Sequence, residues 1–207
     1  MASVSRRSVM TLFSCPDCPE SHRTRIVLAE KELTADVVDV IPGGSAPEDF
    51  MDLSPNGDLP TLADRDLVLT HARVIMEYLD ERFPHPPLMP VDPVSRARVR
   101  TALFRMENDW YPLLPELARG EKTAAKARKS LRESLMTIMP VFGAMPYFMS
   151  EEFSLADVTL APILWRLPVL GIELPGNAKP LQDYMERIFA RPTFQQSLTE
   201  LEREMRD

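Results

Sequence analysis

The stretch Leu59-Pro60-Thr61-Leu62-Ala63-Asp64-Arg65-Asp66-Leu67-Val68-Leu69 carries two short apolar runs on either side of a polar connection. The runs 59–62 and 67–69 predict two strands, and the connection 63–66 is short enough for a hairpin. Pro60 begins the first strand, where a proline removes a hydrogen-bond donor from the ladder. A cis peptide bond before Pro60 would answer this problem, because it turns the preceding N–H and C=O toward solvent, where a peptide-like ligand can pair with them.

The order of elements around this hairpin favours the cis form of Pro60. An ordinary trans proline on an edge strand is the alternative, since only about one X-Pro bond in twenty is cis. Periodicity predicts, in chain order, a buried strand at 9–13, a helix at about 19–32, a strand at 35–40, a loop at 42–45, a short helix at 47–53, the hairpin, and an amphipathic helix through 74–83. This order, β-α-β-α-β-β-α, is that of an α/β thioredoxin-like domain.

Prolines mark the end of that domain. Five of them, at 84, 86, 87, 90 and 93, fall within ten residues, a density that stops a helix and stiffens the chain. The sequence predicts a thioredoxin-like domain at 8–86, a linker at 87–92 and an all-helical C-terminal domain at 93–207. The helices expected in the second domain are 94–117, 124–142, 154–170, 179–190 and 194–205.

Composition excludes several classes of function. The 207 residues are 44% hydrophobic and 27% charged, as in a soluble globular protein, and the formal net charge is -7. A chain of this charge repels a phosphate backbone, so we expect no strong direct binding to nucleic acid. No run approaches the roughly 18 apolar residues of a membrane helix.

The two cysteines, Cys15 and Cys18, are too few and too close in sequence to stabilise a secreted domain through disulfides. This favours a cytosolic location for the protein. Ser5-Arg6-Arg7-Ser8 superficially matches a twin-arginine signal. The apolar run behind it, 9–13, is too short for an export signal.

Cys15 and Cys18 also form the best catalytic candidate, because a helix N-terminus lowers a thiol pKa. Pro19 suits the first helical position, which predicts Cys18 at the N-cap and Cys15 in the preceding loop. A redox dithiol normally has its first cysteine at the cap, so this offset argues against a glutaredoxin-like pair. A partly buried thiol pair without turnover accounts for the same residues.

Two other features have structural interpretations. Ser154 and Asp157 predict a capping box at the start of a buried helix, with Trp165 in the core behind it. His22 is interpreted as a solvated helical residue.

The segment Phe83-Pro84-His85-Pro86-Pro87 is rigid, partly apolar and poor in donors. A stiff linker is the simplest interpretation. A partner can also dock on such a segment at low entropic cost, so the sequence predicts a linker and a binding surface together. No second histidine or carboxylate has a spacing that nominates a catalytic or metal site with His85.

Several segments resemble the glutathione transferase superfamily, and within it the stringent starvation protein A family. The segments that carry the resemblance are 8–14, 25–31, 54–57, 59–62, 75–91, 154–157 and 164–168, with the long run 75–91 the most specific. The resemblance implies a homodimer of transferase-like fold, without transferase activity or cofactor. It implies binding to RNA polymerase holding its primary sigma factor, in starvation and acid stress, through the residues that match the family's functional patch, Pro84, His85 and Pro86.

The same resemblance implies a vestigial glutathione site at Leu59, Pro60, His71 and Ala72. Active transferases hold the glutamyl end of glutathione with an acid and a hydroxyl at the positions of His71 and Ala72. Neither side chain can replace those groups. A contrary similarity remains: Cys18-Pro19 followed by Arg23-Thr24-Arg25 resembles the cysteine turn of omega-class transferases, so a glutathione-dependent thiol transferase using Cys18 is the alternative function.

Overall fold

The computed structural model describes residues 9–44, 46–117 and 120–206. The twin-arginine-like stretch 5–8, the first residue of the predicted domain and Ser45 of the predicted loop lie outside these ranges. The chain forms two compact units: the first runs to Pro86 and includes Pro192–Glu204, and the second comprises Pro87–Arg191 and the residues from Met205. Within the described ranges, no helix has the length and apolar character that crossing a membrane requires.

A four-stranded sheet forms the centre of the first unit, in the order β2-β1-β3-β4. The strands are β1 (Thr11–Ser14), β2 (Asp36–Asp39), β3 (Thr61–Asp64) and β4 (Leu67–Thr70). Strand β1 is parallel to β2 and antiparallel to β3, which forms the hairpin with β4. The Leu59–Pro60 peptide bond is cis, as predicted.

Three helices complete the predicted order: α1 (Pro19–Glu30), α2 (Glu48–Leu53) and α3 (Ala72–Arg82). The thioredoxin-like prediction is therefore confirmed. Helix α1 has Cys18 at its N-cap and Pro19 as its first residue. Every residue of α1 from Ser21 to Glu30 is buried, since α1 packs on α3 and also on the helical segment Pro192–Ser197 near the end of the chain.

The second unit is helical, as predicted. It contains α4 (Pro93–Arg105), a π-helical segment (Met106–Trp110), α5 (Leu113–Leu117), α6 (Glu121–Thr137), α7 (Met139–Ala144), α8 (Leu155–Trp165) and α9 (Lys179–Phe189). Three of the predicted long helices are divided or shorter. The prediction 94–117 is interrupted by the π-helical segment, 124–142 divides at Ile138 ahead of Pro140, and 154–170 ends at Trp165 ahead of Pro168.

The last predicted helix, 194–205, is instead two short ones, α10 (Pro192–Ser197) and α11 (Glu200–Glu204). Both belong to the first unit, so the predicted domain range 93–207 is wrong for Pro192–Glu204. The physical reason is burial: Phe194 and Leu198 leave solvent when α10 packs on α1.

The packing of α10 also corrects the prediction for His22. This side chain is fully buried, not solvated. Its Nε2 lies 3.1 Å from Ser197 Oγ, its Nδ1 lies 3.5 Å from Glu202 Oε1, and its ring packs on Phe194.

The predicted capping box is present at the start of α8. Asp157 accepts hydrogen bonds from Ser154 N at 2.9 Å, Phe148 N at 2.8 Å and Tyr184 Oη at 2.6 Å. Burial raises the pKa of Asp157 to about 6, although these donors act in the opposite direction.

We expect Asp157→Asn to lower the free energy of unfolding by about 1–3 kcal/mol at pH 7, because an amide cannot accept from all these donors. The folded pKa of Asp157 exceeds its ordinary value, so protonation favours the folded state. The difference in the free energy of unfolding between wild type and the variant should therefore increase by about 1 kcal/mol when the pH falls from 7 to 5. Urea unfolding at several pH values measures both quantities.

Asp183→Asn is the matched control, because Asp183 forms an exposed i,i+4 pair with Lys179. Parallel pH profiles for wild type and Asp157→Asn would contradict the prediction.

Candidate functional site

The predicted partner-binding segment, residues 83–87, is presented to solvent. Pro84, His85, Pro86 and Pro87 are exposed, and Phe83 is half-buried. The His85–Pro86 peptide bond is cis. The apolar residues that follow, Leu88 and Met89, are buried in the second unit, so they belong to its core and not to the surface or to a free linker.

Lys31, the residue directly after α1, anchors residues 83–87 from their buried side. Its Nζ donates to Asp80 Oδ1 at 2.6 Å, to the carbonyl of Phe83 at 2.7 Å and to the carbonyl of Pro86. Lys31 and Asp80 are each only 5% exposed. An ammonium group has three donors, and here all three have acceptors, so the buried charge is both paired and hydrogen-bonded. We call this arrangement the Lys31 clamp.

A second cluster borders the segment at the end of α3. Arg82 lies over the rings of Phe83 and Tyr78, with its guanidinium carbon 5.4 and 5.9 Å from their centroids. Arg82 Nε pairs with Asp64 Oδ2 at 3.2 Å, and Tyr78 donates to the same oxygen at 2.7 Å. Burial and the Asp64 carboxylate raise the pKa of Tyr78, so its hydroxyl remains a donor. These contacts tie the edge of the exposed segment to strand β3.

Cys15 and Cys18, predicted as a thiol pair, are joined in a disulfide. Cys15 is buried and Cys18 is half-buried at the start of α1. Asp17 Oδ1 lies 3.0 Å from Cys15 Sγ and 3.7 Å from Cys18 Sγ. In the reduced state a carboxylate this close would disfavour a thiolate. In the oxidised state neither sulfur offers the thiolate that a soft metal ion requires.

The loop that carries the disulfide is anchored by residues of the same unit. Arg25 donates to the carbonyl of Cys15 at 3.1 Å, and Thr199 donates to that of Pro16 at 2.7 Å. The Arg25 guanidinium also donates to Ser197 O at 3.0 Å and to Glu202 Oε2 at 2.7 Å. The disulfide loop is therefore built into the buried packing of α1.

Of the residues predicted as a vestigial glutathione site, two precede β3 and two lie at the start of α3. Pro60 is buried and cis, and Leu59 is half-buried. His71 is exposed at the N-cap of α3, where its side chain makes no capping hydrogen bond, and Ala72 is buried. An imidazole and a methyl group do not fit the ammonium and carboxylate of a glutamyl group.

Sequence reasoning missed the two residues that hold the exposed segment, Lys31 and Asp80. Lys31 lies in the motif 25–31 and Asp80 in the motif 75–91, so the two segments already carried the signal. The ion pair itself could not be predicted, because nothing in either segment specifies that Lys31 contacts Asp80.

Comparison with known proteins places these features in a family. Residues 12–87 match the family described as "Glutathione S-transferase, N-terminal domain", and residues 101–192 match "Glutathione S-transferase, C-terminal domain". The chain is 53% identical over 198 residues to the stringent starvation protein A homolog of Haemophilus influenzae and 51% identical over 199 residues to that of Pasteurella multocida. Each match covers 95% of this chain and 93% of the relative. The crystal structure of a glutathione transferase from Methylococcus capsulatus superposes with a TM-score of 0.82 at 29% identity, covering 91% of this chain and 97% of that one.

We expect Lys31→Met to lower the free energy of unfolding by about 3–5 kcal/mol, because it leaves the Asp80 carboxylate buried and unpaired. The double variant Lys31→Met/Asp80→Leu should recover part of this loss, since it removes both charges. Denaturant unfolding of the single and double variants measures the coupling.

Lys129→Met is the matched control, because Lys129 pairs with Glu133 in solvent and its loss should cost less than about 0.5 kcal/mol. Equal destabilisation by Lys31→Met and Lys129→Met would rule out a clamp at Lys31.

Proposed function

The chain belongs to the stringent starvation protein A family of the glutathione S-transferase superfamily, a family of stress-response regulators, and from this premise we propose that it acts by binding RNA polymerase. The contact we propose is made by residues 83–87 with polymerase that holds its primary sigma factor. The protein then alters transcription in the cytosol through protein contacts, without transferase chemistry.

The observation that carries the proposal is the exposed proline segment held by the Lys31 clamp. Pro84, His85 and Pro86 face solvent, while the carbonyls of Phe83 and Pro86 are tied to a buried ammonium group. A partner that docks here loses little conformational entropy, because the prolines and the clamp already order the backbone. The proline rings offer apolar contact area that carries no charge to desolvate.

The remnant ligand site supports a protein-binding function over catalysis. His71 and Ala72 supply neither the carboxylate nor the hydroxyl that would hold a glutamyl group. A ligand anchored only through the backbone beside Pro60 would lose the contacts that orient it.

Charge and assembly fit the same proposal. The net charge of -7 disfavours binding to DNA by the protein alone, so any effect on promoters would come through the polymerase. We propose a homodimer, as is usual for this fold, and a dimer would display the segment twice.

We expect immobilised wild type to capture RNA polymerase together with its primary sigma factor from purified holoenzyme. The triple variant Pro84→Ala/His85→Ala/Pro86→Ala should reduce capture at least about tenfold, because it removes the ring contacts and loosens the backbone. Quantitative immunoblotting of both partners provides the measurement.

Pro42→Ala/Pro55→Ala/Asn56→Ala is the matched control, since these residues are also exposed in loops of the first unit. The proposal fails if wild type captures no more holoenzyme than the triple variant.

A second candidate function, glutathione-dependent thiol transfer, is favoured by one observation: Cys18 lies at the start of α1 and pairs with Cys15. The disulfide must first be reduced, with glutathione thiol as the reductant. Cys18 would then take glutathione from a mixed disulfide, releasing the substrate thiol, and a second glutathione would regenerate Cys18 as oxidised glutathione leaves.

We expect no turnover above background in a glutathione-mixed-disulfide reduction assay, because the Asp17 carboxylate adjoins both sulfur atoms. Cys18→Ser and Cys15→Ser are the informative pair. Activity that survives Cys15→Ser and disappears in Cys18→Ser would establish the enzymatic alternative.

A further inference from the structure

Strand β2 forms an open edge of the sheet in the first unit. In the order β2-β1-β3-β4, no described strand pairs with β2 on the side away from β1. Asp36 N and Val40 N donate toward β1, to Met10 O at 2.9 Å and Ser14 O at 2.8 Å. Alternate residues of a strand direct their main-chain groups to opposite sides. The N–H and C=O groups of Val37 and Asp39 therefore face the open edge, where another strand could pair with them.

The side chains on one face of this edge line a groove. Val38 packs toward the core formed by Phe13, Val40 and Phe50, so Val37 and Asp39 point to the opposite face. There they line a groove of about 910 Å³ with Ile41 and Leu201.

Large apolar side chains remain exposed along the groove: Val37 is 46% exposed, Ile41 66% and Leu201 48%. Three such side chains beside an unpaired strand edge are what an added strand would cover.

The charge of the groove indicates what kind of strand fits. Exposed acidic residues line it at Glu32, Asp39 and Glu200. The cation in its lining, Arg25, is already bonded to Glu202 at 2.7 Å and does not offset them. A groove with apolar and acidic lining complements a peptide that carries apolar and cationic side chains on the same face.

We propose that the β2 edge binds an extended basic-apolar peptide segment of a partner protein by strand addition. The register follows from the face that Val37, Asp39 and Ile41 share. The peptide places an apolar side chain near Val37, a lysine or arginine near Asp39 and another apolar side chain near Ile41, at alternate positions. This site is separate in sequence from residues 83–87 and does not depend on the polymerase contact.

A capped heptapeptide, Thr-Val-Thr-Lys-Thr-Val-Thr, tests the proposal because it matches this pattern in either strand direction. Titration into the full chain, followed by amide NMR, should shift the signals of Val37 and Asp39 and leave those of β4, the other sheet edge, in place. Replacing the peptide lysine by glutamate should weaken binding about five- to tenfold, since an attraction at Asp39 becomes a repulsion.

A charge exchange makes the test specific. The Asp39→Lys variant should no longer bind the lysine peptide and should bind the glutamate peptide instead. The control Asp66→Lys, at an exposed position in the β3–β4 turn, should bind both peptides as wild type does. Peptides N-methylated either at the threonines or at the valines and lysine test main-chain pairing. One set should abolish binding and the other should retain it, because only one set of amides faces β2.

Three outcomes would overturn the proposal. The first is an absence of shifts at Val37 and Asp39. The second is equal behaviour of the two N-methylated peptides. The third is a change in molar mass by light scattering for Asp39→Lys but not for Asp66→Lys, which would make a second copy of the chain the occupant of the edge.

Discussion

The buried ammonium group of Lys31 is the constraint on which the exposed surface of the first unit depends. Removing a cation from water is costly unless it is paired and its donors are used. Asp80 of α3 supplies the charge, and the carbonyls of Phe83 and Pro86 accept the other donors. The end of α1, the end of α3 and the proline segment are therefore tied at one atom, and the segment can be both exposed and ordered.

Arg25, in the middle of α1, is a second buried cation whose donors are paired with distant parts of the first unit. Its guanidinium bonds the carbonyl of Cys15, the carbonyl of Ser197 and the carboxylate of Glu202. A planar guanidinium suits this role because its donors point in fixed directions. It can therefore bond the Cys15 loop, Ser197 and Glu202 at the same time. Helix α1 thus carries charged side chains on faces that would otherwise meet water, and the returning helices α10 and α11 bury them.

Local patterns were sufficient to predict the individual strands and the capping box at Ser154, because each depends on residues close together in the chain. The order of these elements along the chain then predicted the thioredoxin-like sheet and the cis bond at Pro60. The predictions failed where partners are distant in sequence. The prediction of a solvated His22 is wrong because no local signal indicates that Ser197 and Glu202 cover it. The packing of Pro192–Glu204 in the first unit also explains why this unit differs from the predicted domain range 8–86. For the candidate site, the sequence indicated the exposed segment, but the Lys31–Asp80 pair beneath it became visible only in three dimensions.

The region around Pro60 contains two kinds of position, one constrained by packing and one open to solvent. Pro60 is buried at the entry to β3, whose partner β1 lies at the centre of the sheet, so its substitution would affect packing. His71, by contrast, is exposed and its side chain makes no capping hydrogen bond, so the sheet places little constraint on its identity. Packing therefore constrains the residue at position 60 more strongly than the residue at position 71. The proline segment is ordered by a different constraint, because its carbonyls satisfy a buried charge. A surface whose backbone is needed for stability can also keep a constant shape for a partner, which links the fold of this unit to the function we propose.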